Sequence, residues 1–255
     1  MNVKRGLPFS SENPVPLIMA SEPFDSFRSS LKGYFNQGTL SDLSVSCDGQ
    51  TFKIHRLILC THSKYFAKQF NGPWKESSEQ VVSIEDFDVG VVEAMLHFMY
   101  NFDYSNVNGT SSMVFEAQVY QITNKYDIGS LKEHAKKKFG AAIDIGWPMD
   151  DFPLAITVAY TTSPLEDRGL RDLITETCHD NIDDVLSKDY FCEVLRSTND
   201  FAADLVPFLC NKPAPSIKYY KCPSCGVTFP GDMPSGYRYC PLCSYKSNDW
   251  HNHQQ

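Results

Sequence analysis

The sequence lacks any apolar run near the roughly 18 residues a membrane-spanning helix needs, so no helical membrane anchor is expected. It also lacks a positive excess. Its 23 Lys and Arg stand against 31 Asp and Glu, a formal net charge of −8, which argues against the whole molecule binding nucleic acid electrostatically. There is no internal repeat and no low-complexity tract. No Gly-rich phosphate loop, nucleophile elbow or paired-carboxylate motif is present. His55 and His62 are seven apart without an acidic partner to complete a metal site, and Cys178 and His179 are adjacent, so on a helix they point apart. The residues therefore point away from catalysis. A secretory leader is not expected either. Lys4 and Arg5 precede "PVPLIMA", an apolar piece of about seven residues interrupted by two prolines, too short and broken for an h-region. With Pro8, Pro14, Pro16, Pro23 and several serines, residues 1–30 read as a segment without regular structure.

What is present is a globular composition, 42% hydrophobic and 21% charged over 255 residues, enough for one large domain or two smaller ones with real cores. Leu43, Val45 and Cys47 alternate with Ser44 and Ser46, the period of a half-buried strand. Asp48-Gly49 then supplies a tight hairpin turn, and Phe52 and Ile54 alternate on the return strand. Leu57, Ile58, Tyr65, Phe66 and Phe70 follow a helical spacing broken near "CTHS", which predicts two short helices. Val81–Ile84 reads as a third strand, and Asp88 as the cap of a helix whose Val92, Met95, Leu96 and Met99 form its apolar face. Further helices are expected over 114–126 and 131–143. The stretch 152–210 reads as helices broken at Pro153, Pro164 and Gly169, and "KPAPS" (212–216) as a stiff linker.

Nine cysteines divide into two groups. Cys47, Cys60, Cys178, Cys192 and Cys210 lie among apolar neighbours and read as small buried hydrophobes. The other four form Cys222-Pro-Ser-Cys225-Gly and Cys240-Pro-Leu-Cys243. Each C-x-x-C turn converges two sulfurs on one metal ion, and fourteen residues between the pairs leave room for a short hairpin. A reducing, intracellular setting accounts for both groups at once. The four-cysteine knot reads as a structural site for one Zn2+ per chain, since four thiolates leave no open coordination position. The knuckles resemble zinc ribbons and also the iron site of rubredoxin. Two disulfides would require an oxidising compartment, and a redox C-x-x-C would require a βαβ setting that is not visible. His251 and His253 lie just beyond and read as tail residues. Tyr219, Tyr220, Phe229, Tyr237, Tyr239, Tyr245 and Trp250, with interleaved cations, would serve a small core, a peptide or single-stranded nucleic acid.

The order strand, Asp-Gly hairpin, strand, helix pair, strand, helix resembles the BTB/POZ domain. The matching residues are "LSDLSVSCDGQTFKIHRLILCTHSKYFAKQF" and "WKESSEQVVSIEDFDVGVVEAMLHFMY", with Asp42, Phe52, His55, Arg56, Ser63, Phe66 and Tyr100 at the pattern positions. The resemblance implies an α+β fold, a short sheet flanked by helices, over residues 31–145. An α-helical extension (150–211) and a zinc-ribbon-like module (217–250) would follow. It further implies a non-enzymatic interaction module that forms a homodimer, in the nucleus or cytoplasm. Asp42 and Arg56 match a charged pocket at the dimer interface of related regulators; alternatively Asp42 caps a turn and Arg56 is a solvated helix residue. Trp74-Lys75-Glu76 matches the apolar-x-Glu motif with which some BTB adaptors contact a cullin scaffold. That implies a ubiquitin-ligase adaptor for an unknown protein substrate. The other expectation is a transcription or chromatin regulator whose ribbon contacts nucleic acid.

Overall fold

A computed structural model of the chain describes residues 22–71, 80–106, 109, 111–210, 218–231, 233 and 237–254. The chain divides into two compact units, residues 1–202 and 203–255. Among the described residues no helix is long and apolar enough to cross a membrane.

In the first unit, β1 (Leu43–Cys47) pairs antiparallel with β2 (Gln50–Ile54), with Val45 opposite Phe52. Asp48 and Gly49 both take positive φ, 44° and 77°, the twist that a two-residue hairpin needs. Strand β3 (Val81–Ser83) joins the other side of β1 in parallel, giving the order β2-β1-β3. The alternation read from sequence is the burial pattern seen: Leu43, Val45, Cys47, Phe52 and Ile54 are buried, while Thr51 and Lys53 face water.

Helices cover this sheet. The expected helix pair is α2 (Arg56–His62) and α3 (Lys64–Asn71). Helix α4 (Val89–Asn101) opens at Asp88, whose carboxylate accepts the Gly90 N–H at 2.9 Å. Val92, Met95, Leu96 and Met99 are all buried, but so are Val91, Ala94, Phe98 and Tyr100, so α4 runs through the core and does not lie along its edge. Helices α5 (Ser112–Tyr126) and α6 (Gly129–Gly146) pack against each other beside it.

Two expectations need correction here. Residues 22–30 are not without regular structure: Glu22–Lys32 is a helix, α1, packed on α4, with Phe24 and Phe102 ring centroids 5.7 Å apart. Pro23 sits in its first turn, where its missing N–H costs nothing. Residues 1–21, including "PVPLIMA", lie outside the described residues. Second, Gly169 does not break a helix. After α7 (Phe152–Thr162), which Pro153 helps to start, the chain turns at Pro164 and resumes as α8 (Arg168–Asp180), with Gly169 inside its first turn. A Cβ there would collide with the Tyr120 hydroxyl, so glycine is required for packing. Three further helices complete the run: α9 (Ile182–Leu186), α10 (Asp189–Ser197) and α11 (Asn199–Leu209).

Helix α7 packs on α5 and α8 on α6, so this helical stretch shares the first unit's core. One node fastens it. Asp167, which caps α8 through the Gly169 N–H, also accepts from Tyr120 (2.5 Å), Asn124 (3.1 Å) and Lys132 (2.7 Å). Of the five scattered cysteines, Cys47 and Cys178 are buried and Cys60 and Cys192 half-buried, but Cys210 is exposed, against expectation. Burial pushes the Cys178 thiol up to about 12, so it stays protonated and inert.

Candidate functional site

The second unit is built on two small hairpins. Strand β4 (Lys218–Lys221) pairs with β5 (Thr228–Gly231), and β6 (Arg238–Tyr239) with β7 (Lys246–Ser247). Each hairpin turns through one C-x-x-C knuckle, and the two turns repeat each other bond for bond. In the first, the Cys222 N–H donates to the Val227 carbonyl (3.0 Å) and the Gly226 N–H to the Cys222 carbonyl (2.8 Å). In the second, Cys240 donates to Tyr245 (2.8 Å) and Ser244 to Cys240 (3.0 Å). Gly226 and Ser244, the residues after the second cysteine of each pair, take the same left-handed conformation, φ 72° and 59°.

These turns bring Cys222, Cys225, Cys240 and Cys243 together, with their sulfurs all within 4.8 Å of one another. Cys222 and Cys243 Sγ are 3.6 Å apart, and Cys225 and Cys240 Sγ 3.8 Å. A tetrahedron of thiolates about 2.3 Å from one ion has edges of about 3.8 Å, whereas a disulfide would bring two sulfurs to about 2.05 Å. The arrangement fits a four-thiolate metal site and does not fit two disulfides. Burial raises the Cys222 thiol, but the backbones of Cys225 and Ser224 outweigh it and hold the thiol at about 7. The Val227 backbone favours the Cys225 thiolate, yet desolvation and the three neighbouring sulfurs push it to about 12. The hydrogen bonds among the sulfurs help lower Cys222 and help raise Cys225.

The knot's core is Tyr220, Cys222, Phe229, Cys240 and Trp250, with Met233 packed against it. So few residues do not bury enough surface to hold a fold, and metal binding would supply the remainder. Trp250 opens a 3-10 turn, Trp250–His253, and donates its indole N–H to the Arg238 carbonyl at 3.1 Å. His253 packs edge-on against Trp250, 6.0 Å between centroids, and neither His251 nor His253 belongs to the sulfur cluster. Of the aromatics, Tyr220, Phe229 and Trp250 make the core. Tyr237 and Tyr239 are exposed, with the Lys246 ammonium 4.3 and 5.8 Å from their centroids.

In the first unit, the pattern residues hold the scaffold together. The His55 ring lies against the Tyr100 hydroxyl and the Thr39 carbonyl. Ser63 Oγ donates to the Tyr126 carbonyl at 2.5 Å and accepts the Phe66 N–H at 3.0 Å, tying the junction of α2 and α3 to α5. Phe52 and Phe66 are buried. Asp42 and Arg56 are brought together through the backbone: Asp42 Oδ1 accepts the Arg56 N–H at 2.8 Å, at the start of α2. The Arg56 guanidinium stacks 5.0 Å over Phe70. Asp42 also borders an apolar groove of about 300 Å3 lined by Leu31, Tyr34, Leu40, His55, Leu57 and Ile58. Leu40 and Leu57 are largely exposed there. Trp74, Lys75 and Glu76 lie outside the described residues, as does the 212–216 linker.

The family model for the BTB/POZ domain matches residues 31–141. Residues 31–141 are a BTB/POZ domain. Human Kelch repeat and BTB domain-containing protein 4 is 24% identical over 108 residues, 42% of this chain and 19% of that protein. Mouse Kelch-like protein 8 is 26% identical over 107 residues, 42% of this chain and 17% of that protein. The chain thus spans about a fifth of the length of the relatives it matches. Among solved structures, the BTB domain of zebrafish PATZ1 aligns at 16% identity, covering 46% of this chain and 91% of that one, with a TM-score of 0.38.

The Asp167 node and the buried Glu116 escape sequence reading. "EDRG" before α8 carries a capping signal for Asp167, but its side-chain partners come from α5 and α6, 35 to 47 residues away. Glu116 sits on the inner face of α5, where it accepts the Tyr104 hydroxyl. Burial is the largest influence on it and lifts its carboxyl to about 7.

Proposed function

We propose that this protein is a non-enzymatic interaction scaffold whose BTB module, residues 31–145, pairs with a second copy. The BTB/POZ match over 31–141 carries this reading. The apolar groove beside Asp42, with Leu40 and Leu57 exposed, supports a self-association face there. Asp42 lines that groove, and in this reading Asp42 and Arg56 form the charged part of the pairing face. In its most concrete form the scaffold is a substrate adaptor of a cullin ubiquitin ligase, acting inside the cell. Trp74, Lys75 and Glu76 meet the cullin, the helices of 150–211 extend the contact, and the module at 217–250 holds a protein substrate. That module carries one structural Zn2+ per chain on Cys222, Cys225, Cys240 and Cys243. A loop tryptophan is a good anchor because buried aromatics dominate interface energetics. Trp74→Ala with Glu76→Ala should abolish co-purification of a cullin while leaving dimerisation and metal content unchanged. Undiminished co-purification refutes the assigned contact.

A second reading has an observation of its own. Tyr237, Tyr239, Arg238 and Lys246 present two exposed rings and two cations together, which suits stacking on single-stranded nucleic acid by a transcription or chromatin regulator. Filter binding of the full chain to an oligonucleotide separates the readings. Affinity that falls steeply with salt, and is lost in Tyr237→Ala/Tyr239→Ala, favours the regulator. Salt-independent retention or none favours the adaptor.

A further inference from the structure

The two knuckles do not offer their cysteines to water equally. Cys222 and Cys240, the first of each pair, are buried in the knot's core at 1% exposure, whereas Cys225 and Cys243, the second of each pair, are exposed. Each exposed cysteine has a buried one close by on the other hairpin. Cys243 Sγ lies 3.6 Å from Cys222 Sγ, and Cys225 Sγ lies 3.8 Å from Cys240 Sγ. Both separations are within about 2 Å of disulfide length, so a small closing movement would join either pair.

A cysteine that ligates a metal is a thiolate, and thiolate character combined with exposure is what a hydroperoxide selects. An exposed thiolate attacks one peroxide oxygen: an S–O bond forms, the O–O bond breaks and hydroxide leaves. The buried thiolate opposite then attacks the sulfenic sulfur: an S–S bond forms, the S–O bond breaks and a second hydroxide leaves. Two electrons pass from the sulfur pair to the peroxide, and the buffer protonates both hydroxides. One such bond leaves two thiolates at the site, too few to hold the ion. Cys222–Cys243 and Cys225–Cys240 bonds would both join the first hairpin to the second, as the metal does. Bonds inside each C-x-x-C pair would leave the hairpins unlinked.

We propose that the four-cysteine knot is a reversible oxidation site for hydroperoxides, exchanging its metal ion for two cross-hairpin disulfides, Cys222–Cys243 and Cys225–Cys240. The proposal rests on the reading of the knot as a zinc site. The test uses the full chain carrying Cys210→Ser, which removes the exposed cysteine outside the knot. Zinc content is measured first. Hydrogen peroxide is then added, from about half an equivalent to about ten per chain. A chromophoric chelator reads released zinc, dimedone traps sulfenic acid, and tandem mass spectrometry after partial reduction maps the disulfides. At the lowest peroxide, dimedone should mark Cys225 and Cys243 and spare Cys222 and Cys240. About two equivalents should release one zinc per chain and yield the two cross-hairpin bonds. That oxidised, zinc-free chain should resist protease beyond residue 217, whereas the chelated, reduced chain is cut there. Reductant with added zinc should restore the starting state. A chain without zinc before oxidant defeats the metal assignment and this proposal with it. A zinc-loaded chain defeats this proposal alone if it keeps its ion at about tenfold excess, is first trapped at Cys222 or Cys240, forms bonds inside each C-x-x-C pair, or ends at sulfinic and sulfonic acids that reductant does not reverse.

Discussion

The Tyr100 hydroxyl holds His55 twice: it accepts the His55 backbone N–H at 2.9 Å and lies 2.8 Å from His55 Nδ1, across 45 residues of sequence. The Thr39 carbonyl, 3.0 Å from Nε2, can only accept, so Nε2 is the ring donor, and with the proton there Nδ1 accepts from the Tyr100 hydroxyl. Burial, the largest influence, raises the Tyr100 hydroxyl to about 12, so it stays protonated and able to donate.

Removing that hydroxyl strands the His55 backbone N–H, which loses its acceptor, and His55 Nδ1, which loses its donor. Tyr100→Phe should cost about 1–3 kcal/mol of unfolding free energy, read by urea denaturation, with circular dichroism at low denaturant unchanged. A loss within about 0.3 kcal/mol would mean the bond is dispensable.

Asp167 and Glu116 should respond to pH with opposite signs. Burial alone would raise Asp167, but Lys132, Tyr120 and the Gly169 N–H outweigh it and hold its carboxyl below the usual range. Its folded pKa is depressed, so its contribution is present above the unfolded value of about 3.9 and is lost as pH falls below that. Asp167→Asn should destabilise by about 1–3 kcal/mol at pH 7, and the difference should shrink on acidification toward pH 3. Burial lifts Glu116 to about 7, so its ionisation opposes folding. Glu116→Gln should gain on the order of 1–3 kcal/mol relative to the parent at pH 8 and little at pH 5. Denaturation of both variants across pH 3–8 checks the two signs together.

Much of the fold was legible because local rules and tertiary packing agree. Strand alternation at Leu43, Val45 and Cys47, the Asp48-Gly49 turn and the Asp88 cap all read out as built. Helix α1 was hidden because prolines and serines dominate its neighbourhood, while the apolar spacing of Phe24, Phe27 and Leu31 is sparse; its packing on α4 is a tertiary fact. Gly169 looked like a breaker because nothing in the sequence announces that Tyr120, 49 residues earlier, fills its Cβ space. The cysteine spacing carried the knot plainly.

Ser244 occupies the left-handed position that Gly226 fills in the matching knuckle, at a cost of roughly 1 kcal/mol for a residue with a Cβ. Ser244→Gly should therefore tighten the metal site by about 0.5–1 kcal/mol, a few-fold in competition against a zinc chelator. Unchanged or weaker competition contradicts the matched-knuckle account.

Cys225→Ser should release the ion and unfold the second unit while sparing the first. One thiolate fewer opens the site, and the five-residue core cannot hold the hairpins alone. Trp250 fluorescence and protease sensitivity after residue 210 would report it. A variant that keeps both metal and protection contradicts the assigned ligand set.

The central claim, a self-pairing BTB scaffold that carries a structural zinc site, is tested most directly by native mass spectrometry of freshly purified protein. The account predicts a dimer with two zinc ions, one per chain, which falls to a metal-free species on chelation. A metal-free monomer with intact disulfides would contradict it.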